Sequence, residues 1–327
     1  MDATLDARSH EQGVVMKKTK GHYFVDSGGR MVTCEVSARL RKVLIYPTAD
    51  PNSLRPVVQS VREIETVDPV AVGDQVRFLD EHDGRGLILE VLPRRSRLSR
   101  LAAGPKPLEQ VMVANLDQVV AVMAAAQPDP KWNLLDRYLV SAESLGLQVL
   151  IVIAKLDLLG EARELLAEVT NYRRLGYPVL LTSAEDGTGL DKLKSVLRGR
   201  ISVLVGKSGV GKSSLLNALQ PGLGLKVNTV SQATSKGRHT TTHLEMFPLD
   251  FGGGIVDTPG MREFGPWALD GEDVALCFPE MRPLVGSCKF GLDCRHEHEP
   301  GCEVIKAVDA GEVSERRYQS YLKLLEG

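Results

Sequence analysis

Residues Gly206, Lys207, Ser208, Gly209, Val210, Gly211, Lys212 and Ser213 match the spacing G-x4-G-K-[ST] and run on through Ser214 into the apolar-periodic LLNALQ. This pattern carries phosphate chemistry. Its glycines let backbone N–H groups close round a β-phosphate, and the helix that follows adds its dipole. Lys212 would bridge β- and γ-phosphate oxygens, which makes it a catalytic as well as a binding candidate, and Ser213 would ligate Mg²⁺. Downstream, Asp257, Thr258, Pro259 and Gly260 follow the apolar GGGIV. Asp257 suits a position beside the Mg²⁺ shell, and the Gly260 N–H would face a γ-phosphate. Between the two motifs lies Gly237-Arg238-His239-Thr240-Thr241-Thr242. Alone, three threonines are an ordinary polar loop. Placed between a P-loop and a D-x-x-G, they read as a switch in which Thr241 reaches Mg²⁺ when a γ-phosphate is present.

A P-loop does not choose a base. Guanine is selected by a Lys that flanks the ring and an Asp that accepts N1–H and the 2-amino hydrogens, a donor pair that adenine lacks. Ala154-Lys155-Leu156-Asp157 follows the strand-like QVLIVI, and Thr182-Ser183-Ala184 follows PVLLTS as a second base-contacting loop. Both precede the P-loop. Either they are spurious, or the domain is circularly permuted. Permutation costs the site nothing geometrically, because all five loops meet at one edge of the sheet.

Cys288-x5-Cys294-x-His296-x5-Cys302 offers three thiolates and an imidazole, enough for a closed tetrahedral Zn²⁺ with no position left for substrate. Such a site is structural, stapling a segment with too little apolar content to fold alone. His298 is a rival fourth ligand. Cys34 and Cys277 stand apart and read as small buried residues.

These motifs need a frame. Short alternating segments fill 13–93 (HYFVDS, MVTCEVS, KVLIY, DQVRFLD, GLILEVL), split by Gly, Pro and Asp turns. They predict a five-stranded barrel of oligonucleotide-binding (OB-fold) type over 1–95. Its aromatics are sparse, so RNA contact would be directed at the backbone through Arg30, Arg39, Arg41, Lys42 and the acid-free run Arg94, Arg95, Arg97, Arg100 and Lys106. The Pro, Ser and Arg content of 96–110 predicts a basic linker. From 111 to 266 strand and helix alternate, with helices near 133–145, 161–175 and 190–197, which predicts a doubly wound α/β domain. From 267 to 327 the strand pattern gives way to the Cys/His cluster and a helix near 313–325.

Composition sets the outer bounds. With 327 residues, 43% hydrophobic and 25% charged, the chain has the make-up of a folded globular protein. The longest apolar run, 119–126, is less than half of the roughly 18 residues a membrane span needs. The N-terminus has no apolar stretch of signal type, and five cysteines, an odd number, speak for reduced thiols. The expectation is a cytoplasmic protein with no membrane partner and no demand for more than a monomer. The net charge of −2 hides a slightly basic first third and a mildly acidic remainder.

The permuted order AKLD, TSA, GKSGVGKS, GRHTTT, DTPG, closed by the Cys/His cluster, resembles the circularly permuted bacterial GTPases called ribosome small subunit-dependent GTPase A, over nearly the whole chain. The resemblance implies an OB-fold domain, a GTPase domain and a zinc domain. It also implies GTP and GDP as ligands, Mg²⁺ and one structural Zn²⁺, with hydrolysis stimulated by the 30S subunit and its 16S rRNA during late maturation. It favours His296 over His298 as zinc ligand and supports His239 as a catalytic residue of the first switch. Where many GTPases carry a water-orienting Gln stands Met261, so intrinsic turnover is expected to be slow. One departure is Ala154, where the family usually has Asn, and a hydrogen bond tying the base loop to the P-loop region goes with it. Two other readings remain: a GTP-dependent RNA-binding switch with incidental hydrolysis, and an ATP-using P-loop phosphotransferase, against which Asp157 argues.

Overall fold

Alternation of apolar and polar residues in the first third produces strands with one buried face. The computed structural model describes residues 10–19, 21–45, 60–63, 68–101, 109–160, 163–224, 226, 244–257 and 271–326. Two compact units gather them, Met1–Leu116 with Lys236–Phe247, and Asp117–Ser235 with Pro248–Gly327.

In the first unit the chain runs β1 (His10–Thr19), β2 (His22–Ser27), β3 (Arg30–Val36), α1 (Ala38–Arg41), β4 (Lys42–Ile45), β5 (Ser60–Glu63), β6 (Gln75–His82), β7 (Arg85–Val91), β8 (Arg97–Leu101) and β9 (Glu109–Ala114). Strands β1-β2-β3-β7-β6 pair in that order and β6 returns to β1, so five strands close on themselves. The β3–β7 pair is parallel and the others are antiparallel. Closure removes the exposed edges that an open sheet would carry. Val15, Tyr23, Val25, Val32, Cys34, Phe78 and Ile88 fill the interior. Burial pushes the Cys34 thiol up to about 12, which leaves it a neutral packing group.

Two expectations change here. The segment KVLIY is not a barrel strand; its residues pair with β5 in a separate two-stranded ladder. The fifth barrel strand is β1, whose polar ends and register shift between Val15 and Lys17 hide its alternation. Residues 96–110, expected as a linker, contribute β8, which pairs antiparallel with β9 and buries Leu98. The basic run is also partly committed within the unit. Arg94 clamps the fully buried Asp74 through Nε at 2.7 Å and Nη2 at 2.8 Å, and donates to Pro69 O at 2.9 Å. Arg30 pairs with Glu11 and Asp80. Those two side chains hold the barrel together and are not open phosphate contacts.

The second unit alternates β10 (Gln118–Ala124), α2 (Trp132–Glu143), β11 (Gln148–Ala154), α3 (Arg163–Arg174), β12 (Val179–Leu181), α4 (Leu190–Leu197), β13 (Ile201–Val205) and α5 (Lys212–Leu219). The series closes with β15 (Gly254–Asp257), while β14 (Glu245–Pro248) belongs through Phe247 to the first unit, where Glu245 pairs with Lys17 of β1. Strands β12-β11-β10-β13-β15 form a parallel sheet. Every residue of β10 is buried, as expected of a strand covered on both faces. All five strands end at one edge, where Ala124 pairs with Ala154 and Ile153 with Leu181.

The unit continues with α6 (Gly271–Leu276), α7 (Glu303–Asp309) and α8 (Glu315–Glu326). A buried ionic cluster ties α8 to α2. Arg317 donates to Asp136 Oδ1 at 2.6 Å and pairs with Glu280, while Arg316 reaches Asp136 Oδ2 at 2.8 Å and Glu168 at 3.0 Å. Tyr172 and Ser320 hydroxyls also donate to Asp136, each at 2.7 Å. Such a fully buried carboxylate is tolerable only because each lone pair has a donor. The Cys/His segment therefore shares one compact unit with the parallel sheet.

Candidate nucleotide site and metal centre

Strand β13 hands the chain to Gly206, whose φ is +151°. A Cβ there would lie 2.4 Å from Val122 O on the neighbouring strand, so only glycine lets the loop leave the sheet along this path. Gly209 and Gly211 also have positive φ, at +83° and +104°. Helix α5 starts directly after Gly211, which aims its first N–H groups into the loop. Lys212 Nζ folds back over that loop and donates to Gly206 O at 2.6 Å and Lys207 O at 3.0 Å. The ammonium stands at the phosphate cradle, and Ser213 sits half-buried in the first turn of α5.

The AKLD and TSA motifs come together next to it. Leu156 N donates to Thr182 O at 3.1 Å, and Ser183 Oγ donates to Asp157 Oδ1 at 2.6 Å. Ser183 Oγ in turn accepts from Glu185 N and Asp186 N. Thr182 and Ser183 are fully buried, Ala184 is half-buried, and the Asp157 carboxylate is exposed. Lys155, at φ +59°, extends its stem across the P-loop: Cγ and Cε lie 3.7 Å from where a Gly211 Cβ would be, and Ala154 Cβ lies 3.6 Å from the same point. Lys155 Nζ donates to Gln127 O, in the loop after β10. Gln127, at φ +48°, takes part in the base-loop geometry although no motif marks it.

Strand β15 ends at Asp257 beside β13, with Val256 opposite Val203. The Asp257 side chain, and His239, Thr241 and Gly260, lie outside the described residues.

The second cluster is a metal-donor set. Cys288, Cys294, His296 and Cys302 are all buried, and their ligand atoms lie within 4.8 Å of one another. Cys288 Sγ and Cys302 Sγ are 3.8 Å apart. A tetrahedral ion with Zn–S bonds of about 2.3 Å would set its sulfurs about 3.8 Å apart. His296 turns Nδ1 to the sulfurs, 3.5 Å from Cys288 and 3.3 Å from Cys302, while His298 is exposed. Burial pushes the Cys294 thiol up to about 12 and lowers the pKa of His296, so a cation is the natural counter-charge to deprotonated sulfurs here. The donors fit zinc.

The surrounding loop is held by its own bonds. Tyr318 OH donates to His296 O at 2.7 Å, and Glu303 N donates to Cys288 Sγ. Burial opposes ionisation of Glu299, yet the N–H groups of Arg295, Glu297 and His298 donate to its carboxylate and hold it down at about 2.

The family model for the RsgA GTPase matches residues 91–267, more than half of the chain. This chain belongs to the RsgA GTPase family. A relative from Gemmatimonas aurantiaca, "Small ribosomal subunit biogenesis GTPase RsgA", is 49% identical over 257 residues, covering 78% of this chain and 83% of that protein. "Small ribosomal subunit biogenesis GTPase RsgA 2" of Bacteroides thetaiotaomicron is 36% identical and covers 96% of each chain. Among solved structures, YjeQ from Thermotoga maritima is 32% identical with a TM-score of 0.72, covering 97% of this chain and 98% of its own. YloQ, described as a circularly permuted GTPase, is 29% identical with a TM-score of 0.69, covering 99% and 97%.

RsgA membership agrees with the permuted order in which the AKLD and TSA motifs precede the P-loop. The fold is a permuted GTPase domain behind an N-terminal five-stranded barrel, and GTP hydrolysis is the activity of the RsgA family. As an RsgA GTPase, the chain uses GTP and GDP with Mg²⁺.

Proposed function

We propose that this chain is a GTPase acting in biogenesis of the small ribosomal subunit, in its late maturation, with 16S rRNA as contact and turnover stimulated by the 30S particle. The observation that carries the reading is the meeting of Lys155, Asp157 and Ser183 with the P-loop at one sheet edge. That arrangement supports guanine recognition: Asp157 accepts from the base, Lys155 flanks its plane, and Gly206 to Ser214 hold the phosphates. Thr241, Asp257 and Gly260 complete the Mg²⁺ and γ-phosphate contacts, and His239 acts on the attacking water. The relatives' names supply the small-subunit partner.

In this reading the zinc held by Cys288, Cys294, His296 and Cys302 is structural, because a closed set has no position for substrate. The barrel, the GTPase part and the Cys/His part are three functional regions, the last two sharing one compact unit. The protein works as a cytoplasmic monomer. No helix among the described residues is long and apolar enough to cross a membrane.

Steady-state GTP hydrolysis with and without purified 30S subunits, with ATP as competitor, is the deciding measurement. Slow intrinsic turnover that rises on adding 30S subunits, and that excess ATP leaves unchanged, is the expected result. Equal turnover with and without subunits leaves the RNA-binding switch as the better reading, and inhibition by ATP favours the phosphotransferase.

A further inference from the structure

A cavity of about 620 Å³ lies between the first turns of α2 and the end of α8, entirely within the second unit. Lys131, Arg137 and Lys323 stand on its walls, exposed, and none of them makes an ion pair with an acid among the described residues. The arginine beside them is differently placed: Arg316 is already neutralised by Asp136 and Glu168. Its guanidinium instead backs the Trp132 ring, 6.0 Å from the centroid. The wall thus carries the half-buried Trp132 ring, which also packs 5.8 Å from Tyr172, together with Leu134 and Leu324 and three exposed positive charges.

We propose that this groove binds single-stranded RNA, with an unstacked base against Trp132 and its phosphates on Lys131, Arg137 and Lys323. Charge complementarity selects a polyanion, and a flat ring among apolar side chains suits a base rather than a bare phosphate. The role rests on the small-subunit reading above, since a maturing ribosomal particle is where such a strand would be met. None of the residues that line the groove belongs to the P-loop, the AKLD motif or the TSA motif, so it can be altered without substituting any of them.

The test uses the full chain and a fluorescein-labelled hexauridylate, titrated by anisotropy over a range of salt. Wild-type protein should bind, with an affinity that falls as salt rises. The triple variant Lys131→Ala, Arg137→Ala, Lys323→Ala should bind about tenfold more weakly or worse, with a salt slope smaller by about 2, from about 0.7 per lost phosphate contact on a single strand. Its GDP affinity should be unchanged, which shows that the variant is folded. With Trp267→Phe leaving Trp132 as the remaining tryptophan of two, the oligonucleotide should quench its fluorescence. Unchanged affinity and slope in a triple variant that still binds GDP would overturn the proposal. Lost binding to 30S subunits with hexauridylate binding intact would overturn it too, in favour of an acidic protein segment. A wild-type enzyme that 30S subunits fail to stimulate, yet whose groove binds RNA, refutes the small-subunit reading alone.

Discussion

The Ser183 hydroxyl donates a 2.6 Å hydrogen bond to Asp157 Oδ1, joining two loops 26 residues apart in sequence. Because Ser183 is fully buried and its own oxygen accepts two backbone N–H groups, the hydroxyl is locked in place. It fixes the carboxylate proposed to meet both guanine donors.

Replacing Ser183 by Ala should therefore weaken GDP binding about fivefold, the effect of roughly 1 kcal/mol of lost positioning. Asp157→Ala removes two charge-assisted hydrogen bonds and should cost about 100-fold or more. Titration with a fluorescent GDP analogue measures both. If the two variants lost affinity equally, Ser183 would be a ligand rather than a positioning residue.

Ala154 is buried with its Cβ close to the P-loop at Gly211. Ala154→Asn should restore a hydrogen bond between base loop and P-loop and tighten GDP about fivefold, for a net gain near 1 kcal/mol. Weaker binding in a folded variant would show that this chain has packed the space closed.

The catalytic role proposed for His239 has a direct test. His239→Ala should leave GTP affinity roughly intact and remove most of the 30S-stimulated turnover, as read by single-turnover hydrolysis. Full stimulated turnover in the variant would move the role elsewhere.

Purified protein should carry one zinc per chain by elemental analysis. Cys302→Ser should release it and lower the Tm by more than about 5 °C, with amide exchange rising first around 288–326. Retention of zinc in that variant would contradict the four-ligand assignment.

Asp136 compensates Arg316 and Arg317 together. Asp136→Asn leaves both guanidinium groups short of charge in a buried site and should cost about 3–5 kcal/mol. Thermal unfolding would register this as a fall of roughly 6–20 °C.

Much of this protein could be read from its chain. The apolar runs QVVAVMA and QVLIVIA announced covered parallel strands, and helix 190–197 coincides with α4 (Leu190–Leu197) to the residue. Motif spacing marked the loop after β13, whose positive-φ Gly206, Gly209 and Gly211 lead into α5, because such backbone turns are local features that spacing encodes. Period and spacing say which face is buried, however, and not which distant partner buries it. For that reason β1 escaped notice, KVLIY was assigned to the wrong sheet, and the Arg-rich 96–110 looked like a linker when Leu98 sits in a hairpin. Partner choice is likewise what turned Arg94 from an apparent RNA contact into the clamp on Asp74, and what drew His296 rather than His298 to the three sulfurs. Residue type and local order determined the chemistry available to this chain. Only tertiary packing, which brings charges and donors together across hundreds of residues, decided which side chains are left free to perform it.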